Sequence, residues 1–393
     1  MIIYLDNSST TRVKPEVAEK TVNAMTKDFG NPSSLHRLGL NAEKIIKEAR
    51  AIIAKSLNAD PSEIYFTSCG TESDNTVIKG AVESGKYRGR RIITTAVEHP
   101  AVLEPCKWAE GRGFEVIKLP VDKVCSVDLD ALCDALNPDT LLVSVMAVNN
   151  EVGSIMPLDA IRRMISEKAP QALFHSDAVQ GFEKIDLDVK RLGLDFLSIS
   201  GHKLHAPKGI GALYVKKGVH IPSFMLGGGQ ESAFRSGTES VPLIAGFGEA
   251  VRLAEENKAQ RIKHIEDTKN YLRDSIIGCF GERARINSPA DGVCSILNVS
   301  FPGCRGEVLL HMLEEKDIFV STGSACSSNS KKKGSHVLKA MGLSDSEIEG
   351  ALRFSLSEFN DKEQMDITIK ALKEVVDTHS ALLKLQHSGK FRK

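Results

Sequence analysis

Short apolar runs alternate along the chain with stretches whose apolar positions recur every three or four residues. Residues Ile64–Thr67, Arg91–Thr95, Glu115–Leu119, 141–146, 172–175, Phe196–Ser200 and Gly211–Val215 read as strands. Each is a brief run, several of them β-branched, of the kind that suits a buried pleated surface. Between them, 71–83, 101–109, 129–136 and 158–167 are helix-like. Upstream, 41–57 places Ile45, Ile46, Ala49, Ile52, Ile53 and Leu57 at helical spacing. Such alternation from residue 64 to residue 215 predicts a mostly parallel, seven-stranded sheet covered by helices on both faces, an α/β architecture. The pattern changes after about residue 240. A long helix over 245–277 is followed by a strand-like 294–301, a helix-like Gly306–Glu314, a Gly/Ser-rich 321–330, a strand-like 352–356 and a last helix over 362–385. This predicts a smaller α+β domain.

Composition narrows the class. Of 393 residues, 41% are hydrophobic and 26% charged, enough for a full core and too apolar for disorder. Lys+Arg and Asp+Glu both number 51, so the net charge is zero and the basic excess of a nucleic-acid binder is missing. Lys331, Lys332 and Lys333 form a local basic run. No stretch approaches the ~18 consecutive apolar residues of a membrane span. The opening MIIYLDNSSTT has no basic segment before a long apolar one, so a secretory signal is not expected. None of the eight cysteines forms C-x-x-C. Neither a zinc ribbon nor a disulfide scaffold is indicated, and a reducing, cytoplasmic setting is expected.

The candidate chemistry falls at strand ends. No G-x-x-x-x-G-K-[ST] occurs, and Gly209-x-Gly211 fails as a dinucleotide fingerprint because its sixth position is Tyr214. A better phosphate site is 67–74, where a strand leads through Ser68, Cys69 and Gly70 into a helix with Thr71 as its expected N-cap. Free N–H groups at such an end attract anions. Read blandly, the same segment is a well-capped helix without a ligand. Lys203 follows a strand and the small residues Ser200 and Gly201, with His202 beside it. It can form a Schiff base with an aldehyde, or be a solvated loop lysine. Asp177 can pair with a pyridinium nitrogen or cap the next helix. His99 can stack on a ligand or pack in a loop, and Asn150 can bond a ring oxygen or make a turn. His202-x-x-His205 lacks a third ligand at zinc spacing, so no metal site is expected. A phosphate cradle, a Schiff-base lysine, an acid and a histidine at one sheet edge together describe pyridoxal phosphate.

Two further residues stand apart. Cys326 lies among Ser and Gly in 321–328, unlike Cys294 and Cys133 in apolar runs, which marks it as a candidate nucleophile or a surface thiol. Arg353 interrupts an apolar strand-like run, so it is expected to meet a carboxylate, either a substrate's or one of the chain's own.

From Tyr4-Leu5-Asp6 to about Phe359 these residues resemble the cysteine desulfurases of the class V aminotransferase group that serve iron–sulfur cluster assembly. The motifs that carry this are Ser200-Gly201-His202-Lys203 with Gly209-Ile210-Gly211-Ala212, 69–75, Asn149-Asn150-Glu151, Arg235-Ser236-Gly237-Thr238, and 323–328. The resemblance implies the fold-type-I transferase architecture of pyridoxal-phosphate enzymes. The expected division is a large cofactor-binding domain over 12–245 and a small domain from 1–11 and 246–393, which carries a mobile Cys loop at 321–335. By motif match, Lys203 would hold the cofactor. Gly70, Thr71, Ser200 and His202 would bind its phosphate, with Thr238 reaching in from the second subunit of a homodimer. Asp177 would face the ring nitrogen, Gln180 and Asn150 the ring hydroxyl, and His99 the ring face. Arg353 would anchor the carboxylate of L-cysteine, with Asn31 and His36 nearby. Cys326 would take the sulfur as a persulfide, leaving alanine, and deliver it to an acceptor such as an iron–sulfur scaffold. In that delivery it would contact a nascent cluster as cargo.

The chain departs from the resemblance at Asn7-Ser8-Ser9-Thr10-Thr11, where two alanines are common, and at Lys331-Lys332-Lys333. The second departure bears on acceptor docking. The competing readings are a selenocysteine lyase, a small-substrate aminotransferase, which has no need of Cys326, and a non-catalytic scaffold of the same fold.

Overall fold

The computed structural model describes residues 1–87, 89–322 and 334–387, with side chains as far as residue 381. Cys326 and the basic run 331–333 lie outside the described residues, as does most of the expected Cys loop. The chain opens with β1 (Ile3–Tyr4), α1 (Pro15–Thr26) and α2 (Arg37–Ser56). Strands and helices then alternate: β2 (Ile64–Thr67), α3 (Gly70–Glu83), β3 (Arg91–Thr95), α4 (Pro100–Glu110), β4 (Glu115–Leu119), α5 (Leu129–Ala135), β5 (Thr140–Ser144), α6 (Leu158–Lys168), β6 (Leu173–Asp177), β7 (Phe196–Ser200) and β8 (Gly211–Val215).

β2 to β8 form one seven-stranded sheet in the order β2-β8-β7-β6-β5-β3-β4. The β3–β4, β3–β5, β5–β6 and β6–β7 pairs are parallel, whereas β8 is antiparallel to both β7 and β2. Every strand but β8 therefore runs the same way. The central strands are apolar on both sides because both sides are covered. Leu142, Leu173 and Phe196 pack with Val77 and Ile78 of α3 and Val102 and Cys106 of α4. Their neighbours Val143, Phe174 and Leu197 face the opposite way, toward Ile46 and Ile53 of α2 and Ile161 and Ile165 of α6. One residue's shift changes the face, as the period of two requires.

The rest of the chain is α7 (Val241–Glu256), α8 (Lys258–Phe280), β9 (Arg285–Ile286), β10 (Ile296–Ser300), α9 (Gly306–Glu314), β11 (Ile318–Phe319), α10 (His336–Ala340), α11 (Asp345–Glu349), β12 (Ala351–Ser355) and α12 (Lys362–His387). A second sheet, β12-β10-β9, is antiparallel. Its core joins Leu297, Val299, Leu352 and Phe354 to Leu272 and Ile276 of α8, Leu309 and Leu313 of α9 and Leu372 of α12. Ile3 and Leu5 enter the same core, because β1 pairs with β11. The N-terminal strand is thereby pinned, and residues 6–11 are led past the end of β12, where Asn7 N–H donates to Ser355 O at 3.2 Å.

Three expectations change. The single helix over 245–277 is two, broken at Asn257, whose φ of −131° and ψ of 32° end α7; asparagine competes with the helix through its own side chain. α3 begins at Gly70 with Cys69 in the N-cap position and no side-chain cap, so Thr71 is inside the helix. α1 escapes the periodicity because only Val17 and Ala24 of its 12 residues are buried. Among the described residues, no helix is long and apolar enough to cross a membrane.

α7 touches α1 and α2 through glycines. A Cβ on Gly248 would meet Ala49 Cβ at 2.7 Å and Cα at 2.8 Å. Gly248→Val should therefore force the helices apart and cost about 1–3 kcal/mol despite valine's better helix propensity. A urea denaturation midpoint lower than wild type's supports this packing; an unchanged or higher midpoint contradicts it.

Candidate active site

Five of the co-directional strands deliver a polar residue to the same edge. β2 leads through Ser68 and Cys69 to Gly70, β3 to His99, β5 to Asn150, β6 ends on Asp177 and β7 on Ser200. All line one cavity of about 240 Å³, together with Lys203 and Arg353, except that Ser68 stays outside.

The anion end of the cavity is the start of α3. Cys69 is extended and makes no capping bond, which leaves first-turn N–H groups of the helix without a side-chain cap. A Cβ on Gly70 would meet Val179 Cγ2 at 2.5 Å, so only glycine fits there. Ser200 is 2% exposed, and its Oγ has no hydrogen-bond partner although it lines the cavity. His202 lies on the turn Gly201–Lys203, with Nδ1 3.2 Å from Thr10 Oγ1. Burial and the neighbouring Lys203, Lys208 and Lys184 lower its pKa to about 4, so it is neutral near pH 7.

Lys203 Nζ donates to the carbonyls of Ser8 and Ser9, the second at 2.8 Å. These carbonyls belong to the segment led in by β1. The sequence reading placed Asn7-Ser8-Ser9-Thr10-Thr11 only as a departure from a motif. The available signal was a Ser/Thr run directly after an apolar strand. Gln180 Nε2 donates to the same Ser8 O at 2.9 Å, and its Oε1 accepts from Lys184 at 3.2 Å. Asp177 is buried, and its Oδ1 accepts from Val179 N–H at 2.9 Å. Burial raises its pKa, while His99 and Lys203 pull it down. No helix starts at Asp177, so the cap reading is not met; the carboxylate closes a turn at Val179 and still lines the cavity.

His99 caps α4, its Nδ1 accepting from Ala101 N–H at 3.1 Å. That bond leaves the proton of the neutral ring on Nε2. Burial lowers the pKa of His99. Asn149 makes the turn, accepting from the N–H groups of Glu151 and Val152, which frees Asn150 to line the cavity. Arg353 on β12 does pair with a carboxylate of the chain: Nη2 donates to Asp6 Oδ1 at 2.9 Å and to Ser9 Oγ at 2.8 Å, and Nη1 to Asn150 O at 3.0 Å. Its Nε is buried without a partner, so the guanidinium keeps donor capacity at the cavity wall.

A buried layer beneath the cavity was not singled out as functional in the sequence. His175 bridges Ser144 Oγ at 2.8 Å and Ser198 Oγ at 3.0 Å, with Asp74 3.5 Å from Nε2. Burial alone holds the imidazole's pKa down at about 3, and burial with nearby Asp177 raises that of Asp74. Period-two alternation within apolar strands was the only hint of these inward polar groups.

Three expected residues are not brought to the cavity within one chain. Thr238 lines a separate hollow with Ser68 and Arg235, and another with Asn31. Asn31 accepts from Ser33 N–H, and His36 caps α2 by accepting from Gly39 N–H. Cys326 lies outside the described residues, and no group of three or more potential metal ligands occurs among those described.

The donor set suits pyridoxal phosphate: an uncapped helix start and an unpartnered buried hydroxyl for a phosphate, a buried carboxylate for a protonated ring nitrogen, and an amine for an aldehyde. Comparison with known proteins agrees. Residues 3–367 match the family Aminotransferase class-V. The chain is 44% identical to the cysteine desulfurase IscS of Methanosarcina thermophila, over 95% of this chain and 92% of that one. Among solved structures, a NifS-like protein superposes with a TM-score of 0.90 at 40% identity, covering 96% of this chain and all of its own. SspA in complex with cysteine superposes with a TM-score of 0.81 at 34% identity, over 91% of this chain and all of that one.

Two buried carboxyls next to the cavity carry a pH signature. Burial pushes Glu98 up to about 8 and Glu151 up to about 7, from 4.5. The folded chain then holds protons that the unfolded chain releases. Their contribution to stability is whole below the unfolded value and is lost as pH rises through the folded values. Between about pH 5 and about pH 8 these two groups therefore pull urea midpoints down, against the upward pull of the buried histidines, and Glu98→Gln should make the midpoint fall less or rise more with pH than wild type's. A variant with the wild-type slope would show that Glu98 is ionised throughout.

Proposed function

The chain belongs to the class-V aminotransferase family, among its cysteine desulfurases, and from that membership and the cavity we propose how it removes sulfur from L-cysteine. The observation that carries the reading is that Lys203, Asp177 and the Gly70–Ser200 cradle open onto one cavity, in a chain whose relatives are named cysteine desulfurases. Pyridoxal phosphate, the family's cofactor, supplies an aldehyde for the substrate amine and a ring that draws electrons from the substrate's α-carbon.

The chain's own residues divide the remaining work. Gly70, Thr71, Ser200 and His202 would hold the phosphate. Lys203 would hold the aldehyde until the substrate amine takes its place, and would then move the substrate's α-proton. Asp177 would keep the ring nitrogen protonated, because a buried carboxylate beside a cation is ionised in preference to standing alone. Gln180 and Asn150 would hold the ring oxygen, and His99 would cover the ring. Arg353 receives the substrate carboxylate on the donors that Asp6 and Ser9 leave over. The thiolate of Cys326 attacks the substrate sulfur. The carbon–sulfur bond breaks, its electron pair stays with carbon and is protonated, and the products are alanine and a Cys326 persulfide.

The same reading includes a two-fold homodimer in which Thr238 serves the partner's phosphate site. Met25 and Phe29, 58% and 65% exposed, line the hollow that Thr238 shares with Asn31 and support a covered face there. Asn31, which shares a hollow with Thr238, and His36 belong to that edge. A cytoplasmic setting and an acceptor such as an iron–sulfur scaffold complete the proposal, with the large domain over 12–245 and the small one from 1–11 and 246–393.

Alanine and sulfide formation from cysteine tests it. Lys203→Ala should lose turnover by about 10²-fold or more, because the proton carrier is gone. Cys326→Ala should still show an absorbance change on adding cysteine, yet yield almost no alanine. Normal alanine production by Cys326→Ala would rule out sulfur capture by that thiol and leave an aminotransferase or lyase reading.

A further inference from the structure

Two arginines, Arg235 and Arg50, pair with carboxylates outside the cavity. Glu72 is the third residue of α3, one beyond Thr71. Its Oε2 accepts from Ser68 N–H, two residues before the helix, at 2.8 Å, which holds its charge beside the start of α3 but outside the cavity. Arg235 Nε donates to Glu72 Oε1 at 2.8 Å and Nη2 to Oε2 at 3.3 Å. The pair is largely withdrawn from water, with side chains 22% and 9% exposed. Arg235 is itself held by an unusual turn. Glu231, Ser232 and Ala233 have φ of 47°, 56° and 63°, the left-handed region, without a glycine among them. That turn is clamped by Arg50, whose Nη1 and Nη2 meet both oxygens of Glu231 at 2.8 and 2.7 Å. Phe66 N–H, near the end of β2, also donates to Glu231 at 2.9 Å. The Arg235–Glu72 pair and the Phe66–Glu231 bond thus tie 231–235 to the helix and strand that form the cradle, and Arg50 ties the turn to α2.

A carboxylate in the first turn favours the helix when nothing else is bound there, and its charge opposes a phosphate arriving at the N–H groups of the same helix start. We propose that Arg235 is a positioning residue for the cofactor phosphate: it neutralises and holds aside Glu72, so that the start of α3 presents positive charge, and the Arg50–Glu231 clamp keeps it in place. This rests on the pyridoxal-phosphate reading of the cavity. Arg235 touches neither substrate nor cofactor; it acts through Glu72. The strained turn fits the role, because backbone strain persists only where surrounding contacts over-determine it.

The readout is the dissociation constant of pyridoxal phosphate, from equilibrium dialysis of the holoenzyme followed by absorbance. Arg235→Gln should weaken binding about tenfold or more, since the charge of a buried carboxylate in the first turn is then left uncompensated. Glu72→Gln should bind as tightly as wild type or more so. The double variant Glu72→Gln/Arg235→Gln should return to within about threefold of wild type, because no charge remains to be neutralised. A merely structural pair predicts the reverse, with the double variant as weak as Arg235→Gln, and that result overturns the proposal. So does an Arg235→Gln variant that binds as tightly as wild type. Should Arg235→Gln not fold, Glu72→Gln decides alone: binding about tenfold weaker than wild type's by that variant contradicts the electrostatic role. A wild-type protein that binds no pyridoxal phosphate would instead overturn the reading of the cavity itself.

Discussion

Strand direction is the constraint on which the site depends. A parallel ladder leaves every carboxyl end on one edge, and here β2, β3, β5, β6 and β7 each spend their last residues, or the few beyond, at that edge. Gly70, His99, Asn150, Asp177 and Ser200 are far apart in sequence and share nothing locally. They meet because both faces of the sheet are buried under helices, which fixes register to the residue. β8 is the exception that completes the arrangement. Running against β7, it returns the chain and brings Gly211 against Cys69, where an added Cβ would lie 3.0 Å from the Cys69 carbonyl carbon. The turn between β7 and β8 carries Lys203 over the same edge.

The edge is electrostatically costly. Asp177, Asp74 and Glu98 are buried close together, and burial raises the pKa of each. Lys203 and His99 offset the charge of Asp177, and Lys203 donates to two backbone carbonyls. A ligand with a cationic ring nitrogen at one end, an aldehyde in the middle and a dianion at the other matches these three demands at once. Arg353 at the cavity wall is held by Asp6 and Ser9 through Nη2 and by the Asn150 carbonyl through Nη1, and its buried Nε has no partner.

Much of this was legible from residues alone because the signals were local. Apolar runs bounded by turn residues located all seven strands of the sheet. Their polar terminators, Asp177, Ser200 and the 67–74 turn, read directly as chemistry. What stayed hidden was non-local. Ser8 and Ser9 reach Lys203 only because β1 pairs with β11 far along the chain. The His175–Ser144–Ser198 layer is invisible to composition, since single polar residues inside apolar strands look like noise until a neighbouring strand supplies the partner. Thr71 was misread as a cap because threonine favours that position; the structure uses Cys69 there, leaving the helix start uncapped. Arg235 and Glu72 belonged to quoted motifs, but their pairing across 163 positions of sequence could not be seen.

The central claim is that this edge holds pyridoxal phosphate on Lys203. Reduction of the purified protein with borohydride, followed by proteolysis and mass measurement of the peptide containing residues 201–208, tests it most directly. The account predicts a yellow protein whose colour is lost on reduction, with the cofactor's mass fixed on Lys203 alone. A protein that stays colourless with added cofactor, or a label on Lys184 or Lys208 instead, would contradict it.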